Sequence, residues 1–113
     1  MNQLPLNQRV CTPCQIGTPP LPPAEVEAQL LQLEDWQHQE WLLLRKDYEF
    51  KDFAAVMTFA SEVARLAEAE NHHPNIFIHD YRKLQLTLQT HKIKGLSDND
   101  FILAAKIDQL PKP

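Results

Sequence analysis

Glycine is almost missing from this chain, with two in 113 residues, and that scarcity argues against a glycine-rich loop that cradles phosphate. Positive charge is also in deficit. Eleven Lys and Arg against 15 Asp and Glu leave −4 at pH 7, which removes the attraction to phosphate behind most non-specific nucleic-acid binding. No apolar run approaches the roughly 18–20 residues of a membrane span. The opening MNQLPLNQRV lacks the basic start and apolar core of a secretory signal, so the expected location is the cytoplasm. Cysteine is confined to Cys11 and Cys14. Their Cys-x-x-Cys has no second Cys or His pair nearby to complete a structural zinc site. Pro19, Pro20, Pro22 and Pro23 follow it, where a redox motif would open a helix. The pair reads as two reduced thiols in a flexible or loosely docked leader. No Ser/His/Asp order and no paired-carboxylate motif stands out.

What is present is ordinary globular composition, 43% apolar and 23% charged, in a length that suits one domain. Residues 1–21 hold proline at 5, 13, 19 and 20 and read as an irregular arm; the folded domain is expected over 22–113. A first helix begins near Pro23, with Val26, Leu30 and Leu33 at helical spacing. Two strands follow, around Trp36–His38 and Trp41–Glu49, the second with Leu42, Leu44, Tyr48 and Phe50 on one side. A longer helix is expected from Asp52 to Glu70 along a stripe of Phe53, Met57, Ala60, Ala64 and Ala67, ended by Pro74. The segments IFIHDY and KLQLTLQTH read as strands, with Leu84, Leu86 and Leu88 facing the core and His91 on the opposite side. After a turn at Gly95, Ser97 and Asp100 resemble a capping box that starts a helix carrying Leu103, Ile107 and Leu110. The order α-β-β-α-β-β-α predicts an α+β domain, a four-stranded antiparallel sheet with helices packed on one face. Trp36 and Trp41 are expected in the core or an interface, and Trp41 and Leu43 make subunit pairing plausible.

The chemistry concentrates in four of the five histidines, His72, His73, His79 and His91, with Glu68 and Glu70 beside them. Imidazole exchanges protons near neutral pH, and the helix end before His72 favours its charged form. Glu68 precedes His72 by four residues, one helical turn, and so is placed to fix its tautomer. Three readings stand open on these residues: a zinc site of His72, His73 and His91, a helix end capped by Asn71 and the histidines, or acid–base catalysis.

The spacing Glu68-x-x-x-His72-His73-Pro74, then six residues to Tyr81, nine to His91 and eight to Asp100, resembles the signature of the pterin-4a-carbinolamine dehydratases. The similarity spans about residues 24–110, and HKIKGLSDNDFILAAKID is similar to the C-terminal part of bacterial members. The resemblance implies a hydro-lyase that converts 4a-hydroxytetrahydropterin to quinonoid dihydropterin after each turnover of an aromatic amino-acid hydroxylase, with no metal or organic cofactor. It implies His73 as pterin-binding base and His72 and His91 as acids on opposite ring faces, with Glu68, Pro74, Tyr81 and Asp100 in supporting roles. Pro74 also reads as a plain helix stop, Tyr81 as a packing residue and Asp100 as a cap. His79 lies outside the signature and reads as a solvent-facing strand residue. A homodimer or homotetramer is expected. The competing functions are a protein-interaction module, since animal relatives also act as dimerisation cofactors of a homeodomain transcription factor, and an activity on another pterin such as in molybdenum-cofactor metabolism.

Overall fold

The computed structural model describes residues 4–13 and 15–113. Its elements run α1 (Pro23–Leu30), β1 (Gln37–Gln39), β2 (Leu43–Glu49), α2 (Phe53–Glu70), β3 (Asn75–His79), β4 (Lys83–Leu88) and α3 (Asp98–Asp108), with short 3-10 turns at Leu6–Gln8 and His91–Ile93. The four strands lie in the order β1-β2-β4-β3, every neighbour antiparallel, which is the α+β architecture the residue pattern calls for.

Alternation places Leu44, Lys46 and Tyr48 of β2 beside Leu84, Leu86 and Leu88 of β4 on one buried face. Val56, Phe59 and Val63 of α2 and Phe101, Leu103 and Ile107 of α3 complete a single apolar cluster with them. Each such side chain contributes about 1.5–3 kcal/mol when fully buried. Lys46 is the polar exception in the face. It is 4% exposed and reaches Asp108 Oδ1 at 3.0 Å, and the same carboxylate accepts from Trp36 Nε1 and the Glu34 backbone N–H, both at 2.9 Å.

Three local expectations shift. Trp41 and Leu42 belong to the β1–β2 turn, not to β2, and Leu42 is 45% exposed. Glu40 and Trp41 take left-handed φ of 51° and 62° there, and Trp41 is held by stacking on the His38 ring at 3.8 Å and by donating its N–H to His38 Nδ1. Second, α2 buries Ala55, Val56, Phe59, Ala60, Val63 and Ala67, leaving Phe53, Met57 and Ala64 exposed. Rotating the helix this way buries two valines and a phenylalanine where the expected stripe offered mostly alanines, and apolar area decides the choice. Third, the proline-dotted arm docks on the domain. Leu6 is 1% exposed within the core, and the Leu21 N–H donates to Leu96 O at 2.9 Å. Gly95 permits this approach, since a Cβ there would stand 2.7 Å from Pro20 Cβ.

Candidate active site

α2 does not simply run into Pro74. Asn71 turns left-handed (φ 53°), its N–H bonds to Glu68 O, and the His72 N–H bonds to Ala67 O, which is the paired closure of a Schellman motif. Pro74 then keeps His73 away from helical geometry. Two adjacent histidines thereby leave the helix in different directions, and each meets a carboxylate.

His72, 12% exposed, places Nε2 2.6 Å from Asp100 Oδ1. Asp100 is fully buried, and its other oxygen accepts from the Ser97 N–H at 3.0 Å and the Thr90 hydroxyl at 2.8 Å. The capping box read from Ser97 and Asp100 is therefore real, and it has a second use: one carboxylate oxygen starts α3 while the other holds a histidine. His73 Nε2 lies 2.5 Å from Glu68 Oε2, so Glu68 serves His73 and not His72 as its spacing suggested. The Schellman turn is the reason, because helical i,i+4 geometry ends at Asn71. With 54% and 78% of the side chains exposed, the Glu68–His73 pair adds little to stability, and its value lies in fixing the ring.

His91 stands at the head of a 3-10 turn closed by the Thr90 N–H on Gly95 O at 2.9 Å, and β4 ends three residues before it. The expected strand position is thus replaced by a turn. No carboxylate among the described residues is within ion-pair reach of His91. All three imidazoles nevertheless line one cavity of about 320 Å³, together with Asn71, Gln89, Thr90 and Lys92. Among the described residues no three His, Cys, Asp or Glu side chains converge as a metal-ligating set.

Two residues singled out in the sequence stand elsewhere. Tyr81 lies in the β3–β4 turn at φ 50°, 62% exposed and outside the cavity lining, and His79 pairs with its neighbour Asp80 at 2.9 Å. Pro74 shapes the histidine turn without lining the cavity. Conversely, Cys11, Thr12, Pro13, Glu70 and Asn99 also line the cavity, and residue pattern alone gave no sign of the arm's part in it. Cys14 lies outside the described residues.

Glu70 accepts from the Cys11 N–H at 2.9 Å and from Lys106 Nζ at 2.7 Å. Burial pushes its carboxyl up, but the hydrogen bonds from Lys106 and Cys11 and the ammonium charge outweigh it, and the net shift is downward. A lowered carboxyl pKa stabilises the fold above the unfolded-chain value and loses that contribution as pH falls through the folded-state value. Exchange of the Cys11 amide hydrogen, corrected for its intrinsic rate, is therefore expected to be slow at neutral pH and to accelerate on acidification through the Glu70 titration. In Glu70→Gln that acid transition should vanish; an identical profile would show that Glu70 does not hold the arm.

The comparisons with known proteins agree on one family. Residues 19–110 match the family model described as pterin 4 alpha carbinolamine dehydratase. The chain belongs to the pterin-4a-carbinolamine dehydratase family. This carbinolamine dehydratase homologue is 38% identical to a protein of Alkaliphilus metalliredigens over 92% of its own length and 94% of the relative's. It is 41% identical to one of Methylococcus capsulatus over 97% and 96%. Both carry the name "Putative pterin-4-alpha-carbinolamine dehydratase". In structure it is similar to a transcriptional coactivator/pterin dehydratase from Brucella melitensis, with a TM-score of 0.73 at 30% identity over 78% of this chain and 94% of the other. A pterin dehydratase-like protein described as a RuBisCO assembly factor in the alpha-carboxysome aligns with a TM-score of 0.56 at 25% identity over 66% and 87%. No helix among the described residues of this dehydratase homologue is long and apolar enough to cross a membrane.

Proposed function

We propose that the chain dehydrates 4a-hydroxytetrahydropterin to quinonoid dihydropterin by general acid–base catalysis. The observation that carries this reading is the convergence of His72, His73 and His91 on one cavity, two of them each backed by its own carboxylate. In the reaction a base takes the N5 proton, the N5 electron pair forms the C4a=N5 bond, and the C4a–O bond breaks as an acid protonates the departing hydroxyl. Water leaves, and no electrons enter or depart. Positioned imidazoles each contribute roughly 10²- to 10⁴-fold to such proton transfers.

With Nε2 engaged by Glu68, His73 presents Nδ1 as the base that takes the N5 proton. His72, its Nε2 held by the buried Asp100 carboxylate, offers Nδ1 as an acid on the hydroxyl. His91, on the separate turn after β4, is the second acid, for the other ring face. Glu68 and Asp100 are positioning residues, and Pro74 acts through the turn it fixes; Tyr81 has a part only if another subunit brings it to a cavity. The metabolic partner on this reading is an aromatic amino-acid hydroxylase that forms the carbinolamine, in tetrahydrobiopterin recycling in the cytoplasm.

His73→Ala is expected to lower the rate of 4a-hydroxypterin loss at least tenfold, followed by absorbance beside a hydroxylase, with an unchanged circular dichroism spectrum. An unchanged rate would remove His73 from the mechanism. Elemental analysis of the same sample weighs the metal alternative, since stoichiometric zinc on these rings would turn proton carriers into ligands. The chain is also read as a homo-oligomer. Among the exposed apolar residues that could serve pairing are Ile76 and Phe77 on the edge strand β3 and Phe53 and Met57 on α2, all at least 39% exposed, while Trp41 and Leu43 are half-buried. Light scattering on the purified protein decides this point, and a monomer would refute it.

A further inference from the structure

The arm ahead of the family match has been given no role in the reaction, yet it reaches the cavity. It is fastened on both sides of the segment that does so. Upstream, Leu6 is buried in the core; downstream, the Leu21 N–H bonds to Leu96 O. Between these anchors, Cys11, Thr12 and Pro13 face the same cavity as the three histidines.

The contacts that hold this segment come from residues next to the catalytic supports. The Asn99 side chain grips Thr12 at two points, accepting from its N–H at 2.9 Å and donating to its carbonyl at 2.5 Å. The Cys11 thiol donates to Asn99 O at 3.6 Å. Asn99 immediately precedes Asp100, which holds His72. On the other side Glu70, two residues before His72, takes the Cys11 N–H while Lys106 neutralises it at 2.7 Å. The Glu70–Lys106 pair is mostly shielded from water, Glu70 being 11% and Lys106 16% exposed, so it holds position more firmly than a surface pair does.

We propose that Cys11–Pro13 form a wall of the substrate site that the pterin contacts, and that Asn99 and Glu70 are positioning residues that clamp this wall against the histidines. The proposal rests on the dehydratase reading given above and extends it to a segment outside the family match, which starts at residue 19. Binding and chemistry are then separable. The histidines carry proton transfer, while the clamped wall adds contact made equally in ground and transition states, and such uniform binding appears in KM rather than kcat.

The test uses the full chain with Cys14→Ser, so that Cys11 is the single thiol. Burial first, then the Glu70 carboxylate, pushes the Cys11 thiol up to about 12, so its alkylation by iodoacetamide at pH 8 is expected to be slow. Saturating 7,8-dihydropterin, which keeps the bicyclic ring and lacks the leaving hydroxyl, should slow it at least a further threefold. Asn99→Ala should raise KM at least fivefold with kcat within twofold, and should speed Cys11 alkylation at least tenfold. Asn99→Asp, which keeps the acceptor for the Thr12 N–H, should recover part of the KM. Damage to Asp100 would instead lower kcat. If dihydropterin binds by calorimetry, Cys11 is not protected and KM is unchanged in Asn99→Ala, the wall proposal is overturned while the dehydratase reading stands. If the unaltered protein neither binds dihydropterin nor dehydrates the carbinolamine, both fall.

Discussion

Asp100→Asn is expected to lower kcat at least a hundredfold while unfolding little of the protein. The carboxylate accepts on both oxygens, from His72 on Oδ1 and from the Ser97 N–H and Thr90 hydroxyl on Oδ2. An amide has one acceptor. The Ser97 N–H cannot turn away, being backbone at the start of α3, so the amide oxygen stays with the cap and its NH₂ faces His72 Nε2. His72 must then accept at Nε2 and keep its one proton on Nδ1; it can no longer act as the doubly protonated ring that passes a proton to the hydroxyl, and losing such a positioned acid costs roughly 10²- to 10⁴-fold. Loss of the buried charge-assisted bond should cost about 1–3 kcal/mol of stability, leaving the domain folded. Initial rates with thermal denaturation of the same samples measure both effects. A kcat within threefold of the unaltered chain would show that Asp100 only caps the helix.

Asp108→Ala carries the largest expected effect on stability. It strips Lys46, 4% exposed, of its counter-charge and leaves Trp36 Nε1 and the Glu34 N–H without an acceptor. Removing one partner of a buried ion pair typically costs about 3–5 kcal/mol, since the remaining charge stays desolvated. For a chain of this size that is a fall in Tm of about 12–20 °C. The combined change Lys46→Met with Asp108→Leu should recover the part of the loss due to the stranded charge, which it removes along with its partner, while Trp36 Nε1 stays without its acceptor. Calorimetry on the single and double variants reads the difference. A loss below about 1 kcal/mol in Asp108→Ala would mean that water already reaches Lys46.

The site was half legible. His72, His73 and His91 stand out in the sequence because their side-chain chemistry is rare and their spacing distinctive, and the structure brings them to one cavity. Helical spacing pairs Glu68 with His72 and offers no partner for the other two rings, and it fails at Asn71: the left-handed residue turns His73 to Glu68 and His72 to Asp100, 28 positions from it. Asp100 was recognised as a cap from Ser97-x-x-Asp100, a local pattern, but nothing local announces its second oxygen. Tyr81, which the resemblance places among the supporting residues, stands in an exposed turn outside the lining of the cavity. The arm reads as irregular, flexible or loosely docked, because proline forbids regular structure there; proline does not forbid docking, and the Asn99 and Glu70 contacts do not depend on helix or strand.

Residue order alone settled the number and sequence of helices and strands, the alternation that gives β4 its buried leucines, and the cap at Ser97, because each follows from interactions within a few residues along the chain. The tertiary structure decided which carboxylate serves which histidine, which face of α2 is buried, how Lys46 is neutralised, and that the arm walls the cavity. Those outcomes turn on groups 5 to 88 positions apart, whose meeting is set by packing of the whole core and leaves no periodic trace in the chain.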